Sequence, residues 1–282
     1  MAITLFQDRD CKGRSLDITR NYASLKDTAL GNHPSSIRMT DPDDAILLCK
    51  KEDWNGGVLY LRGKNTLSDL GEPDEGGENT FRNSVTSVRV TPFTVALNVT
   101  VVKRENGDLP GSHDSHASVE STFGKALVLA NDFFAREKAL LRLEIARITF
   151  RTDDEHFDLT DKESDTFPSA WKNPGELDFI IVNTIEGAVG RAKFPWHGKV
   201  AVMALGGEGK DRSIPKLART LAHEVGHYYG LTHDSGDNVP ANIMTQSDVG
   251  LPIDEAHIRV DQIEELQQKL ARNITRQKDR EE

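Results

Sequence analysis

The sequence changes character once, at the segment TPF at positions 91–93. Before it, from residue 2, the chain consists of short apolar or alternating runs such as AITLF and VLYLR, separated by Gly, Asn, Asp and Pro. Such runs are typical of strands and turns. After it, long amphipathic segments alternate with strand-like runs, which is typical of an α/β or α+β domain. We therefore predict an all-β sandwich over residues 1–92 and a domain of helices and a mixed sheet over residues 93–282.

The first 92 residues contain an internal duplication. Phe6 lies seven residues before Gly13, Cys49 lies seven residues before Gly56, and the halves close on the segments NHPSSI and NSVTSV. This pattern resembles the βγ-crystallin domain, in which each of two Greek-key motifs has an aromatic residue, a glycine seven positions later and a closing serine. Cys49 departs from the pattern, because it stands in the aromatic position. The resemblance implies a Greek-key sandwich, and a sandwich of another family is the alternative.

The same resemblance implies calcium-binding loops of the form [N/D]-[N/D]-x-x-[S/T]-S. The segments GNHPSS and RNSVTS match at Asn32, Ser35 and Ser36 and at Asn83, Thr86 and Ser87. Gly31 and Arg82 depart from the first position. The candidate calcium ligands are therefore Asn32, Ser35, Asn83 and Thr86. Since none carries a negative charge, we expect Ca²⁺ to bind weakly, with Kd of roughly 10⁻⁴–10⁻³ M, or not at all at the Arg82 loop. Alternatively, the serines only cap tight turns.

The second domain has a readable order of elements. TVALNVTVV is strand-like, the segment from His116 to Ala139 is an amphipathic helix, and LRLEIARITF, LDFIIVNTI and KVAVMAL are further strands. A histidine-containing helix follows, and then a charged helix from about Asp254 to Arg276, which we expect to carry solvated charges. The polar, proline-containing segment at 151–176 is predicted to be a surface loop.

The histidine-containing segment is HEVGHYYGLTHD, residues 223–234. A helix is predicted to start at Ser213 with Pro215 just inside it, and apolar residues recur along one face of it at Leu217, Leu221, Val225 and Tyr228. His223 and His227 are four residues apart and therefore project from one face. Gly230 can end the helix in the left-handed conformation, and the chain can then return with His233 as a third ligand.

Three imidazoles leave one tetrahedral position for water, which is the arrangement of a catalytic rather than a structural zinc site. Zinc lowers the pKa of that water to about 7. Glu224, next to His223, can accept the proton of the water and return it to a leaving amine. The alternatives are a polar helix with incidental histidines and a metal site without catalysis.

The full spacing H-E-x-x-H-x-x-G-x-x-H resembles the signature of the metzincin zinc proteases. That family also has a methionine below the metal, and here Met244 follows His233 by eleven residues in NIMTQS. Asp234 after the third histidine, where it would anchor the loop, is similar to the adamalysin (reprolysin) branch. Asn242 departs from that branch, which usually has cysteine there, and no cysteine follows Cys49.

The resemblance implies a zinc-dependent endopeptidase with zinc on His223, His227 and His233 and with Glu224 as general base. It also implies that a protein or peptide substrate binds as an extended strand beside an antiparallel edge strand. The candidate for that strand is EGAVGRAKF, residues 186–194, with a plain surface loop as the alternative.

The sequence is also compatible with two other functions. One is a binding or adhesive protein in which the crystallin-like domain acts and the protease-like domain is idle. The other is a toxin or effector protease with one narrow target. The net charge of −10 argues against a nucleic-acid or anionic-membrane partner.

The composition also bears on location. The longest apolar runs are too short to span a membrane, and the first residues lack a basic and an apolar region of a secretory signal. Two cysteines, Cys11 and Cys49, provide no disulfide framework. We expect a cytoplasmic protein or one exported by a route that needs no leader.

Overall fold

The computed structural model describes residues 2–54, 56–71, 81–160, 167–168, 171, 177–192, 200–207, 210–234, 241–245 and 252–281. The chain forms two compact units. The first contains Met1–Phe93, Lys138–Leu140 and Val260–Glu282, and the second contains Thr94–Glu137 and Leu141–Arg259. The sequence-based division assigns all of residues 93–282 to one domain, whereas the compact units group the last helix with the N-terminal segment.

The first unit contains two antiparallel sheets. Its strands are β1 (Ile3–Asp8), β2 (Lys12–Asp17), β3 (Ser36–Met39), β4 (Ala45–Cys49), β5 (Val58–Arg62), β6 (Asn65–Leu67) and β7 (Ser87–Arg89). One sheet has the order β2-β1-β3-β6 and the other has the order β5-β4-β7. Because β6 comes from the second half of the duplication and pairs with β3 of the first half, the two halves are interlocked.

The predicted closing serines have equivalent roles in the two halves. The Ser36 hydroxyl accepts from the backbone N–H of Cys11 (3.0 Å) and donates to the Asp8 carbonyl (2.6 Å). The Ser87 hydroxyl likewise accepts from the N–H of Trp54 (3.0 Å) and donates to the Lys51 carbonyl (2.7 Å). Each buried hydroxyl therefore fixes the hairpin of its own half, which agrees with the duplication seen in the sequence.

The C-terminal helix α3 (Val260–Glu281) buries one face. Ile263, Leu266 and Leu270 are each at most 2% exposed and follow one another at helical spacing. The helix contacts β5, and the side-chain amide of Gln267 donates to the Ala139 carbonyl within the same unit. The expectation of a tail with only solvated charges is therefore wrong for this face, whose apolar residues complete the first unit.

The second unit is built on a mixed sheet. Its strands are β8 (Phe93–Lys103), β9 (Leu141–Thr152), β10 (Asp158–Leu159), β11 (Leu177–Val182), β12 (Thr184–Ile185), β13 (Gly190–Ala192), β14 (Val200–Ala204), β15 (Gly206–Gly207) and β16 (Lys210–Asp211). The main sheet has the order β13-β14-β11-β8-β9, in which β8, β11 and β14 are parallel and β13 is antiparallel to β14. Every residue of β11 and β14 is buried, as expected for central parallel strands.

Two helices of the second unit pack against each other: α1 (His116–Arg136) and α2 (Ile214–Tyr228). The hydroxyl of Ser115 caps α1 by accepting from the N–H of Ser118. The predicted combination of a sheet with helices is therefore present. Within the described part of the chain, no helix combines the length and the apolar character needed to cross a membrane.

Candidate metal centre

The helix α2 positions the first two histidines. It begins after Ser213 with Pro215 in its first turn, and Leu217, Leu221 and Val225 are buried as predicted. After the helix, the chain turns sharply at Gly230, whose φ is +94°. The N–H of Leu231 returns to the carbonyl of Gly226 at 3.0 Å, so the chain doubles back directly after the helix.

This turn brings the three histidines together. The Nε2 atoms of His227 and His233 are 3.0 Å apart, and one potential ligand atom from each of the three residues lies within 4.8 Å of the others. Two ligands of a tetrahedral zinc ion with Zn–N bonds of 2.0–2.1 Å would be about 3.4 Å apart. The Nε2 atoms of His227 and His233 are therefore close to the spacing that such an ion requires.

Backbone carbonyls fix the tautomers of the two helical histidines. The Nδ1 atom of His223 lies 2.7 Å from the Ile243 carbonyl, and that of His227 lies 2.7 Å from the Leu231 carbonyl. A carbonyl oxygen only accepts, so both Nδ1 atoms carry the hydrogen and both Nε2 atoms bear the lone pair of the ring. Burial lowers the pKa of each of these imidazoles to about 4, so that both are neutral at pH 7 and can act as metal ligands.

Glu224 follows His223 directly in the sequence and is buried, with 3% of its surface exposed. Its Oε2 atom has no hydrogen-bond partner among the described residues. Burial raises the pKa of this carboxyl well above its ordinary value, against the opposing effect of Arg212 and Arg191. A buried carboxyl without a full set of partners is costly, which indicates a functional reason for its presence here.

Met244 lies below the helix, fully buried. A Cβ atom on Gly226 would come within 2.5 Å of its sulfur, so the glycine allows the methionine to pack directly against α2. The Met244 carbonyl also accepts from the N–H of Asp234 at 2.9 Å, directly after the third histidine. The residues predicted to surround the site, Gly230, Asp234 and Met244, are thus gathered in one place.

Three contributing residues were not identified from the sequence. The side-chain oxygen of Asn242 accepts from the N–H of Met244 at 2.7 Å and shapes the turn that presents the Ile243 carbonyl. Arg219 donates to the Asn242 carbonyl at 3.2 Å. Arg259 pairs with Asp234 at 2.6 Å. Asparagine is common in turns, so the role of Asn242 could have been predicted from the sequence. No local pattern indicates the roles of the two arginines.

The predicted edge strand is present as β13, at residues 190–192 of the predicted 186–194. It is antiparallel to β14 and contacts α2. A Cβ atom on Gly190 would come within 2.5 Å of both Glu224 Oε1 and Thr220 Cγ2. The backbone of the strand therefore lies directly against the predicted general base. Residues 193 and 194 lie outside the described residues.

The predicted calcium loops are adjacent in the first unit. The N–H of Asn83 donates to the Pro34 carbonyl, and the Ser35 hydroxyl donates to Asn83 Oδ1, both at 3.3 Å. By contrast, Asn32 Oδ1 and Thr86 Oγ1 are buried with no hydrogen-bond partner among the described residues. The four candidate ligands therefore differ: two satisfy each other, and two are buried oxygens without such a partner.

Arg82 stands beside the second loop. Its guanidinium forms an ion pair with Asp69, which also pairs with Arg9 at 3.0 Å. These arginines hold the pKa of the Asp69 carboxyl below its ordinary value. The positive charge of Arg82 expected near a bound cation is therefore partly compensated by its carboxylate neighbour.

Comparison with known proteins gives likenesses to solved structures alone. No protein-family model matches the chain, and no curated protein matches it. A βγ-crystallin from Ciona intestinalis is 18% identical, with 32% of this chain and 100% of that chain covered and a TM-score of 0.28. The N-terminal domain of protein S is 26% identical, with 32% of this chain and 94% of that chain covered and a TM-score of 0.26. A βγ-crystallin domain from Flavobacterium johnsoniae is 24% identical, with 32% of this chain and 93% of that chain covered and a TM-score of 0.26. Each of these likenesses covers about a third of this chain.

Proposed function

We propose that this chain is a zinc-dependent endopeptidase of the metzincin type that carries a βγ-crystallin-like domain. The observation that carries the proposal is the convergence of three imidazoles whose ligand atoms lie within 4.8 Å of one another, two of them with Nδ1 bonded to a carbonyl. Glu224 lies next to the first ligand in sequence, is buried, and keeps one oxygen without a partner among the described residues.

A zinc ion held by His223, His227 and His233 supplies a Lewis acid that polarises a peptide carbonyl and lowers the pKa of a water to about 7. The other steps belong to the chain. Glu224 takes one proton from the attacking water and delivers it to the leaving amine. Burial raises its pKa, and a cation nearby would lower that pKa and so favour the carboxylate form that a base requires.

The strand β13 supports peptide binding. It is the outer strand of the main sheet as far as the chain is described, and it is antiparallel to its neighbour. An extended peptide can add to such an edge through backbone hydrogen bonds. Gly190 and Ala192 have little or no side chain, so a substrate backbone can approach closely.

The proposal is tested with the purified full-length protein. We expect about one zinc per chain, and we expect new protein termini after incubation with a proteome, abolished by a chelator. Glu224→Gln should retain the zinc and lower turnover at least ~10²-fold, because only the proton carrier is removed. Glu144→Gln, an exposed carboxylate on β9, is the matched control and should retain full activity.

The pattern of new termini separates the alternatives. Many cleavage sites would indicate a general peptidase, and one or a few would indicate a narrow-target effector. A zinc-loaded protein that produces none would leave the binding or adhesive role of the crystallin-like domain. Full activity of Glu224→Gln would refute the assigned mechanism, and absence of bound zinc would refute the site.

We also propose that the crystallin-like domain binds Ca²⁺ weakly, first at the loop of Asn32, because the Asn32 side-chain oxygen is buried without a partner among the described residues. Hard oxygen ligands suit calcium, but uncharged ones bind it only at roughly 10⁻⁴–10⁻³ M. Calorimetric titration of the zinc-loaded full chain measures this. Asn32→Ala should weaken binding more than Asn83→Ala. No heat at millimolar calcium would leave the serines and asparagines with a turn-capping role only.

A further inference from the structure

Arg212 lies in the short segment between β16 and α2 and joins three elements near the predicted general base. One terminal nitrogen, Nη1, donates to the carbonyls of Val189 (3.1 Å) and Ala204 (3.0 Å). The other, Nη2, donates to the Thr220 hydroxyl (2.7 Å) and to the Lys216 carbonyl (3.3 Å). The same guanidinium therefore bonds the residue before β13, the end of β14 and the first half of α2.

The chemistry of arginine suits this arrangement. A guanidinium is planar, stays charged at any ordinary pH and presents five N–H donors in a fixed fork. Four acceptors on three separate elements can be served at once only if those elements keep fixed relative positions. A lysine has one nitrogen with three hydrogens on a flexible stem, and it cannot reach all four acceptors in one geometry.

The elements that Arg212 joins are those that bring substrate and base together. Val189 immediately precedes Gly190, and Thr220 lies one helical turn before Glu224 on the same face of α2. The backbone of Gly190 already lies at the closest approach to both Thr220 and Glu224, since an added Cβ would come within 2.5 Å of each. Any movement of the strand away from the helix would therefore open a gap at the base itself.

We propose that Arg212 is a positioning residue: by holding β13 against α2, it fixes the distance between the strand that binds the substrate backbone and the general base Glu224. This inference rests on the proposed peptidase function. It also explains why a charged side chain is used at a place where an apolar contact could join the strand to the helix. An apolar contact is not directional, whereas the fork sets both spacing and register.

The inference has a first test that does not depend on activity. The N–H of Ala204 donates to the Val189 carbonyl at 3.1 Å, so its hydrogen exchange reports on the attachment of β13 to β14. In Arg212→Gln we expect exchange at Ala204 to rise at least about tenfold while amides of α1 are unchanged. Arg142→Gln, which removes an exposed guanidinium from β9, should change neither. Unchanged exchange in Arg212→Gln would overturn the inference.

The second test uses peptides of increasing length built on a cleavage sequence mapped for the wild-type protein. In the wild type, each residue added along β13 should lower KM through further backbone hydrogen bonds. In Arg212→Lys we expect kcat/KM to fall by about 10–100-fold, with zinc content unchanged and with the dependence of KM on length largely lost. If Arg212 had a merely structural role, Arg212→Lys would lower kcat/KM by the same factor for peptides of every length and leave the dependence of KM on length intact. That result would overturn the inference.

A milder variant covers the case in which the arginine variants do not fold. Thr220→Val keeps the shape of the side chain and removes only the acceptor of the 2.7 Å bond. We expect a smaller loss of kcat/KM than for Arg212→Lys, in the same direction and with the same weakened length dependence. Wild-type kinetics and an unchanged length dependence in Thr220→Val would refute the positioning role, whereas a wild-type protein without activity would instead refute the proposed function.

Discussion

Addition of a single methyl group at Gly190 tests the close contact between β13 and α2. A Cβ atom there would come within 2.5 Å of Glu224 Oε1 and of Thr220 Cγ2, whereas ordinary contacts of a Cβ atom begin at 3.4 Å. The strand or the carboxylate must therefore move by about 1 Å. Thr220 cannot easily make room, because it is β-branched, lies on a helix and is held by Arg212.

The size of the effect follows from two opposing terms. Overpacking of a filled space costs about 1–3 kcal/mol. The change from glycine to alanine restricts the unfolded chain, which offsets about 0.4–1 kcal/mol of that cost. Gly190→Ala should therefore lower the free energy of unfolding by up to about 2.6 kcal/mol, with a central value of about 1.3 kcal/mol. Since a displacement of about 1 Å at a reacting group can reduce the rate about 10²-fold, activity should fall far more than stability does.

The measurements are chemical denaturation, zinc content and kcat/KM on one mapped peptide. Gly124→Ala is the matched control, because its Cβ would meet nothing within 4 Å on α1, and it should leave activity unchanged. The gain in helix propensity should stabilise that variant by at most about 1 kcal/mol. If Gly190→Ala retained wild-type stability and wild-type kcat/KM, the strand would not lie against the base as described, and the reasoning would be refuted.

Three further predictions concern other parts of the molecule. Asn242→Ala leaves the buried N–H of Met244 without its acceptor, so stability should fall by about 1–3 kcal/mol and zinc affinity should fall in a chelator competition; unchanged affinity would contradict this. Deletion from Val260 onward removes the buried face of α3, so the melting temperature should fall and binding of an apolar dye should rise. Burial raises the pKa of the Cys49 thiol to about 12, so only about 10⁻⁴ of the thiol is ionised at pH 8. Maleimide should therefore leave Cys49 unmodified until the protein unfolds, which mass spectrometry can measure.

Local signals account for the parts of the site that the sequence predicts. The helix over α2 follows from its apolar period and Pro215, and its end follows from Gly230, whose φ of +94° favours glycine. His223 and His227 then share a face because of the helical repeat alone. The sharp turn after the helix then restricts where the predicted third ligand, His233, can lie. These features depend on residues within about twenty positions of one another.

Other features depend on pairings between distant residues. Arg259 meets Asp234 across 25 positions, and β6 joins the sheet of the first half rather than its own. The buried face of α3 was missed because Ile263, Leu266 and Leu270 stand among many charged residues, whose number suggests a solvated helix. In such cases the apolar face of the helix can be read from the sequence, but the surface against which that face packs cannot.

The first unit consists of three separate stretches of chain, and this affects how a ribosome can produce it. Between Phe93 and Val260 lie 166 residues that belong, except for three, to the second unit. At ordinary rates of translation, the polymerisation of that stretch takes roughly 10–30 s. During that time the newly synthesised strands of the first unit lack helix α3, which packs against β5. Helix α2 therefore emerges before α3 can complete the first unit, and nascent-chain factors have a defined interval in which to shield the exposed sheet.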